Sequence, residues 1–166
     1  SDPFCPALRR LLVESSLAVK GDAHEGGTYI VMDGPQFSTR AESELHRSWG
    51  ASVIGMTALP EAKLAREAEM CYATLALVTD YDCWHEREES VSVEMVEANV
   101  AKLVGTSIEV VRRTISNLPP RSGCKCGIAL EGAIMTRLDQ IPGDAITRLT
   151  PIIGKYLEDS TGGNAS

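Results

Sequence analysis

Val78-Thr79-Asp80-Tyr81-Asp82-Cys83-Trp84 sets two carboxylates two residues apart. The run before them, Thr74-Leu75-Ala76-Leu77-Val78, is apolar with a β-branched residue at each end and predicts a buried strand. Side chains at i and i+2 leave a strand on one face, so Asp80 and Asp82 point together while Tyr81 points away. Two acids placed this way can each take a different polar edge of one planar ligand. The same spacing also suits turn residues that close a strand, and both readings stand at this point.

The elements that must position this pair follow from pattern. Pro6 suits a first helical turn, and Leu8, Leu11, Leu12 and Val19 keep near-helical spacing until Gly21. After a polar, glycine-rich turn, Thr28 to Met32 reads as a strand. Asp33-Gly34-Pro35 is a turn, and Thr39-Arg40-Ala41-Glu42 fits a capping box that opens a helix running to about Trp49. Ala51 to Met56 is a short apolar strand, and Pro60-Glu61 opens another helix. A long helix from Ser92 carries Val93, Val96, Val100, Leu103, Val104, Val111 and Ile115, with Gly105-Thr106 as a place to bend, and stops at Pro119-Pro120. Helices are predicted over about Gly127 to Leu138 and Asp144 to Leu157. The loop His85 to Glu89 is charged and reads as solvated. Strands alternating with helices argue for an α/β fold, with one domain over residues 1–159 and a disordered tail over 160–166. Ligands in such folds sit where strands end.

Composition narrows the function classes. The 166 residues are 43% hydrophobic, enough for one core. A net charge of -7, with no basic run among aromatics, argues against nucleic acid. No apolar stretch reaches the roughly 18 residues a membrane span needs. Five cysteines form no regular framework, which favours a reducing, cytoplasmic setting. No metal is expected, because His24, His46 and His85 share no ligand spacing. Cys124 and Cys126 read either as a redox clip or as free thiols. The chain begins Ser1-Asp2-Pro3 and reads as the later part of something longer.

A resemblance adds chemistry. Glu25 to Ser43, with Thr28-Tyr29-Ile30-Val31-Met32-Asp33-Gly34-Pro35-Gln36-Phe37-Ser38-Thr39-Arg40 at its centre, then Arg47 to Ala51 and Val53 to Thr57, is similar to the purine nucleoside phosphorylase superfamily. Continued through Pro60 to Glu67 and into the acid pair, it resembles one branch, the 5′-methylthioadenosine phosphorylases. The likeness is ordered from Asp2-Pro3-Phe4-Cys5-Pro6 to about Val96 and weaker beyond Pro120.

That resemblance implies a phosphorylase/hydrolase-like α/β fold with a mixed central sheet flanked by helices. It implies phosphorolysis of 5′-methylthioadenosine to adenine and 5-methylthioribose 1-phosphate, with phosphate as co-substrate and no cofactor. By position, Asp80 protonates the five-membered ring of the leaving purine, and Asp82 accepts a hydrogen bond from its exocyclic amino group. A carboxyl can donate near neutral pH only when burial or a second carboxylate holds its proton. Phe37 stacks on the base, Met56 lies under the ribose, Thr57 meets phosphate, and Val93 and Val96 line the methylthio pocket. Ser38 sits at a position tied to substrate choice. Each has a plainer reading as well: Phe37 and the valines as core, Ser38 as a helix-start hydroxyl. Relatives acting on inosine and guanosine carry asparagine at the place of Asp80, whereas an aspartate pair suits a 6-aminopurine. Gly55 replaces a side chain some members carry, which is expected to loosen the ribose end.

The family's glycine-rich phosphate loop, Arg-His pair and phosphate-binding threonine from the amino-terminal half do not occur in this sequence. The expectation is therefore a carboxy-terminal portion of such an enzyme, truncated or split, turning over poorly alone. In the family, subunits of a trimer complete one another's sugar pockets, so a homotrimer or a multiple of one is expected. Two alternatives stay open: a broader purine nucleoside phosphorylase acting on adenosine, inosine or guanosine, and a noncatalytic purine-binding or assembly fragment.

Overall fold

Cys5 caps α1 (Pro6–Ala18), its sulfur accepting the amide of Leu8. The computed structural model describes residues 2–19, 21–84, 93–120 and 123–158. Next comes a β1–α2–β2 unit of β1 (Thr28–Val31), α2 (Arg40–Ser48) and β2 (Ala51–Gly55). The two strands pair in parallel, with Tyr29 opposite Val53 and Val31 opposite Gly55. Parallel neighbours need a crossover, and α2 supplies it. Its start is fixed by the predicted capping box: the Thr39 hydroxyl accepts the Glu42 amide, and the Glu42 carboxylate accepts the Thr39 amide at 2.7 Å. That arrangement, the Thr39 backbone bond above all, lowers the Glu42 pKa.

Two helices and a turn-rich segment complete the chain. In α3 (Ala58–Glu67), Leu59 is non-helical, so the regular turns begin at Pro60 as its ring geometry favours. The long helix α4 (Val93–Ser116) runs unbroken through Gly105 and packs against α1. The residues most buried on these two helices are small: Ser15 and Ser16 on α1, Val110 and Thr114 on α4. The hydroxyls of Ser16 and Thr114 donate back to the carbonyls of Leu12 and Val110, so their burial leaves no orphan donor. α5 (Gly143–Glu158) follows two short 3-10 turns at Cys126–Ile128 and Leu138–Gln140.

Glu69, with φ 55° and 7% exposed, anchors this carboxy-terminal part. Its carboxylate accepts the Leu130 amide, the Tyr156 hydroxyl and the Lys155 ammonium. Burial alone would raise its pKa, but these partners outweigh it and hold Glu69 down to about 2.

Two predicted elements are corrected. Residues 74–78 form no strand: they have no ladder partner among the described residues, and Val78 is 61% exposed. A strand exists only with a neighbour, so β-propensity alone could not make one. The helix over 127–138 is replaced by turns, because Gly132 takes φ 70°, a left-handed conformation that ends a right-handed helix. The α/β class holds, and the sheet among the described residues is one parallel pair. The loop 85–89 and the tail 160–166 lie outside the described residues. Trp49, Leu64, Met70, Val78 and Ile115 stay more than half exposed.

Candidate functional site

The parallel pair ends at Val31 and Gly55, and the length of β2 together with the two residues just past its end lines a cavity of about 510 Å³. Met56 and Thr57 lie there, as strand-end ligand sites predict. Gly34, at φ 64°, brings the loop after β1 against Met56: a Cβ at Gly34 would stand 3.0 Å from the Met56 sulfur. A side chain would therefore be strained both by its backbone angle and by its neighbour. The opposite wall is the segment that ends in Asp80 and Asp82.

The acid pair is built as a turn. Asp82 has φ 61°, an angle aspartate tolerates better than most residues. Its amide donates to Asp80 Oδ1 at 2.9 Å, and the Thr79 hydroxyl donates to Asp80 Oδ2 at 2.7 Å. The simple alternation of a strand is thus corrected, because the backbone bends between the two acids. Both carboxylates nevertheless line the same cavity. Turn chemistry and ligand chemistry coexist here.

Three side chains hold this segment in place. Ser43, 1% exposed on α2, donates its hydroxyl to Asp82 Oδ2 at 2.7 Å. Asn99 on α4 donates to the Thr79 carbonyl at 2.6 Å, and the Cys83 thiol donates to the Ser38 carbonyl. Burial and the adjacent Asp82 charge push the Cys83 thiol up, which keeps it a donor. At the rim, the Arg47 guanidinium lies 3.7 Å from the centre of the Trp84 ring, and Tyr81 meets Trp84 edge-on. His46 lines the cavity with Nδ1 buried and unpartnered among the described residues, a group that asks for a polar partner.

Of the residues singled out in the sequence, Met56, Thr57, Asp80 and Asp82 line the one cavity. Phe37 does not: it is 58% exposed on the loop before α2, so it is not a core aromatic either. Ser38 stays on that loop, its hydroxyl directed to the Met32 sulfur and its carbonyl to Cys83. Val93 is exposed at the start of α4, and Val96 is half-buried one turn before Asn99. Ser43 and Asn99 were missed. Ser43 reads in sequence as one more polar helix residue, and no local signal tells that its partner lies 39 residues away. The expected looseness at Gly55 is also corrected: the Tyr29 hydroxyl occupies the space a Cβ would need.

What the arrangement offers is two half-buried carboxylates on one side and a strand-end Met-Thr pair on the other, room for a heterocycle joined to a small polar group.

Comparison with known proteins agrees with that geometry. Residues 1–116 match the family described as Phosphorylase superfamily. The chain is 47% identical over 162 residues to an S-methyl-5'-thioadenosine phosphorylase of Koribacter versatilis, covering 98% of this chain and 56% of the relative. It is 49% identical to that of Thermosynechococcus vestitus, covering 95% of this chain and 56% of the relative. A solved methylthioadenosine phosphorylase from an antarctic soil metagenomic library superposes with a TM-score of 0.81 at 39% identity, over 91% of this chain and 54% of that one. The Schistosoma mansoni methylthioadenosine phosphorylase in complex with adenine gives 0.70 at 30% identity, over 85% and 55%. The chain spans about half the length of the curated relatives it matches. With that match across its first 116 residues, the chain belongs to the phosphorylase superfamily.

Proposed function

We propose that this chain supplies the purine and methylthioribose side of a 5′-methylthioadenosine phosphorylase. The observation that carries the reading is the acid pair on one cavity wall facing the strand-end Met56 and Thr57. Its support from outside the chain is the likeness to relatives named for that activity and to a neighbour solved with adenine.

In this reading, a phosphate oxygen attacks the anomeric carbon of 5′-methylthioadenosine while the glycosidic C–N bond breaks. The bonding pair moves into the purine, and the Asp80 proton neutralises it at the five-membered ring. Asp82 accepts from the exocyclic amino group and so favours a 6-aminopurine. Ser43 and the Asp82 amide position the two acids. Met56 lies beneath the ribose, Thr57 binds phosphate, and Val93 and Val96 flank the methylthio group. Phe37 swings from its exposed loop to stack on the base, and Ser38 tunes the choice of nucleoside. The products are adenine and 5-methylthioribose 1-phosphate. Phosphate is the co-substrate, and no cofactor takes part. A trimeric assembly, a cytoplasmic setting and a further segment completing the phosphate side belong to the same proposal; the exposed apolar side chains support the contact with further protein.

Adenosine is a second candidate substrate, because one solved neighbour is named an adenosine/methylthioadenosine phosphorylase. The test is adenine release from 5′-methylthioadenosine and from adenosine by the purified chain, with and without phosphate, beside Asp80→Asn. Phosphate-dependent release abolished by the substitution is the result for a complete site. Adenine binding without release assigns the phosphate side to another segment. Release that ignores phosphate, or a chain that binds neither nucleoside nor adenine, contradicts the reading.

A further inference from the structure

Away from the cavity, four of the five cysteines come together. Cys5, Cys71, Cys124 and Cys126 have all their Sγ atoms within 4.8 Å of one another. Cys5 and Cys126 are buried, while Cys71 and Cys124 are half-buried. The remaining thiol, Cys83, is engaged elsewhere with the Ser38 carbonyl. The cluster is assembled from three distant places: the cap of α1, the residue just past Met70, and the turn that opens the carboxy-terminal segment.

We infer that these four cysteines form a tetrathiolate site for a single zinc ion. A tetrahedral ion with zinc–sulfur bonds of about 2.3 Å sets its ligand sulfurs roughly 3.8 Å apart. The cluster therefore needs only a small contraction, and Cys71 and Cys124 already stand 3.5 Å apart. Four soft sulfur donors, with no nitrogen or oxygen in the set, select zinc over magnesium or calcium. A closed set of four protein ligands is the form of a structural site rather than a catalytic one.

Cys5 stands at the amino end of α1, where the Leu8 amide points at its sulfur. Two of the ligand-bearing segments are also joined through backbone, the Cys5 amide donating to the Tyr72 carbonyl at 2.7 Å. Such outer hydrogen bonds orient metal ligands and tune their charge.

The site explains what holds a part of the chain that has little regular structure. Residues 123–141 contain only short 3-10 turns, and residues 71–80 have no strand partner among the described residues. A zinc ion ties both to the start of α1. Because Cys71 begins the stretch that ends in Asp80, the ion fixes one end of that stretch and the Ser43 and Asn99 bonds fix the other. The expectation of no metal rested on histidine spacing. The ligands here are cysteines separated by up to most of the chain.

The test is elemental analysis of the full chain purified without added reductant or metal chelator, with intact-mass measurement on the same sample. One zinc per chain is expected, with four thiols shielded from alkylation until the metal is stripped. Cys71→Ser and Cys124→Ser should bring zinc to background, while Cys83→Ser keeps it. Should the cluster variants fail to fold, cobalt(II) added to the stripped wild-type chain reads the site directly, through the intense ligand-field bands of a tetrahedral thiolate complex. Absence of zinc together with absence of those cobalt bands overturns the proposal. A mass lowered by the hydrogens of one or two disulfides, with no metal bound, overturns it in favour of disulfides. Zinc retained in both Cys71→Ser and Cys124→Ser overturns it as well.

Discussion

The β1–α2–β2 unit and residues 71–82 face each other across one cavity, and they are held by different kinds of bond. The unit carries its own parallel ladder, its own crossover helix and a closed capping box, so backbone geometry sets where Met56 and Thr57 stand. The facing segment has no ladder among the described residues. One backbone bond, from the Cys5 amide to the Tyr72 carbonyl, holds its start, and side chains reaching in from elsewhere, Ser43 and Asn99, hold its tip, while Glu69 at its root ties the preceding turn to the carboxy-terminal part. A backbone-set wall tolerates surface substitution, whereas a wall hung on side chains transmits each deletion to the acids it carries.

Substitutions can break or sharpen that contrast. The largest effect is expected at the root. Glu69→Gln leaves a buried amide facing the Lys155 ammonium and the Tyr156 hydroxyl, and should cost about 2–3 kcal/mol of stability in denaturant unfolding. A loss below about 0.5 kcal/mol would show that the carboxy-terminal part is anchored by other means. At the tip, Asp80→Asn should weaken adenine by about 1–3 kcal/mol, roughly fivefold to 150-fold, in calorimetric titration. Unchanged affinity would remove Asp80 from the base site.

Ser43→Ala removes a buried donor to Asp82 and should cost about 1–2 kcal/mol. If the segment is hung as described, most of that loss appears in adenine affinity. A loss confined to the unfolding midpoint would mean that Ser43 serves packing alone. The smallest effect belongs to the other wall. Thr39→Ala should lower stability by about 1 kcal/mol and leave adenine affinity as it was. The same capping box has a pH signature. Because the folded pKa of Glu42 is depressed, its contribution is fully present above the ordinary value of 4.5 and declines as the pH falls below it. Acid titration of α2 helicity, compared with Glu42→Gln, checks the sign.

The same contrast explains what could be read from residues alone. Local signals are strong in the β1–α2–β2 unit: Thr39 and Glu42 are three apart, and the flanking β-branched runs are short and bounded by glycine. The folded chain matches them nearly residue for residue. Residues 74–78 carry equally good strand composition, yet strand formation depends on a neighbour and not on composition. The helix expected over 127–138 gives way to a run of turns, with Gly132 at a left-handed angle, and apolar periodicity is blind to turn geometry. Within the site, the types and spacing of Asp80 and Asp82 were legible, but the turn between them was not. The bonds from Ser43 and Asn99 span 39 and 20 residues, and the sulfur contact between Cys71 and Cys124 spans 53. Such contacts exist only once the fold has closed.

The central claim is that Asp80 and Asp82 together recognise a 6-aminopurine. Its most direct test is paired calorimetric titration of this chain with adenine and with hypoxanthine, repeated on Asp80→Asn. The account predicts that the chain binds adenine at least tenfold more tightly than hypoxanthine, and that the substitution erases or reverses the preference. Equal affinity for the two bases in the unsubstituted chain, or a preference that survives Asp80→Asn, would contradict it.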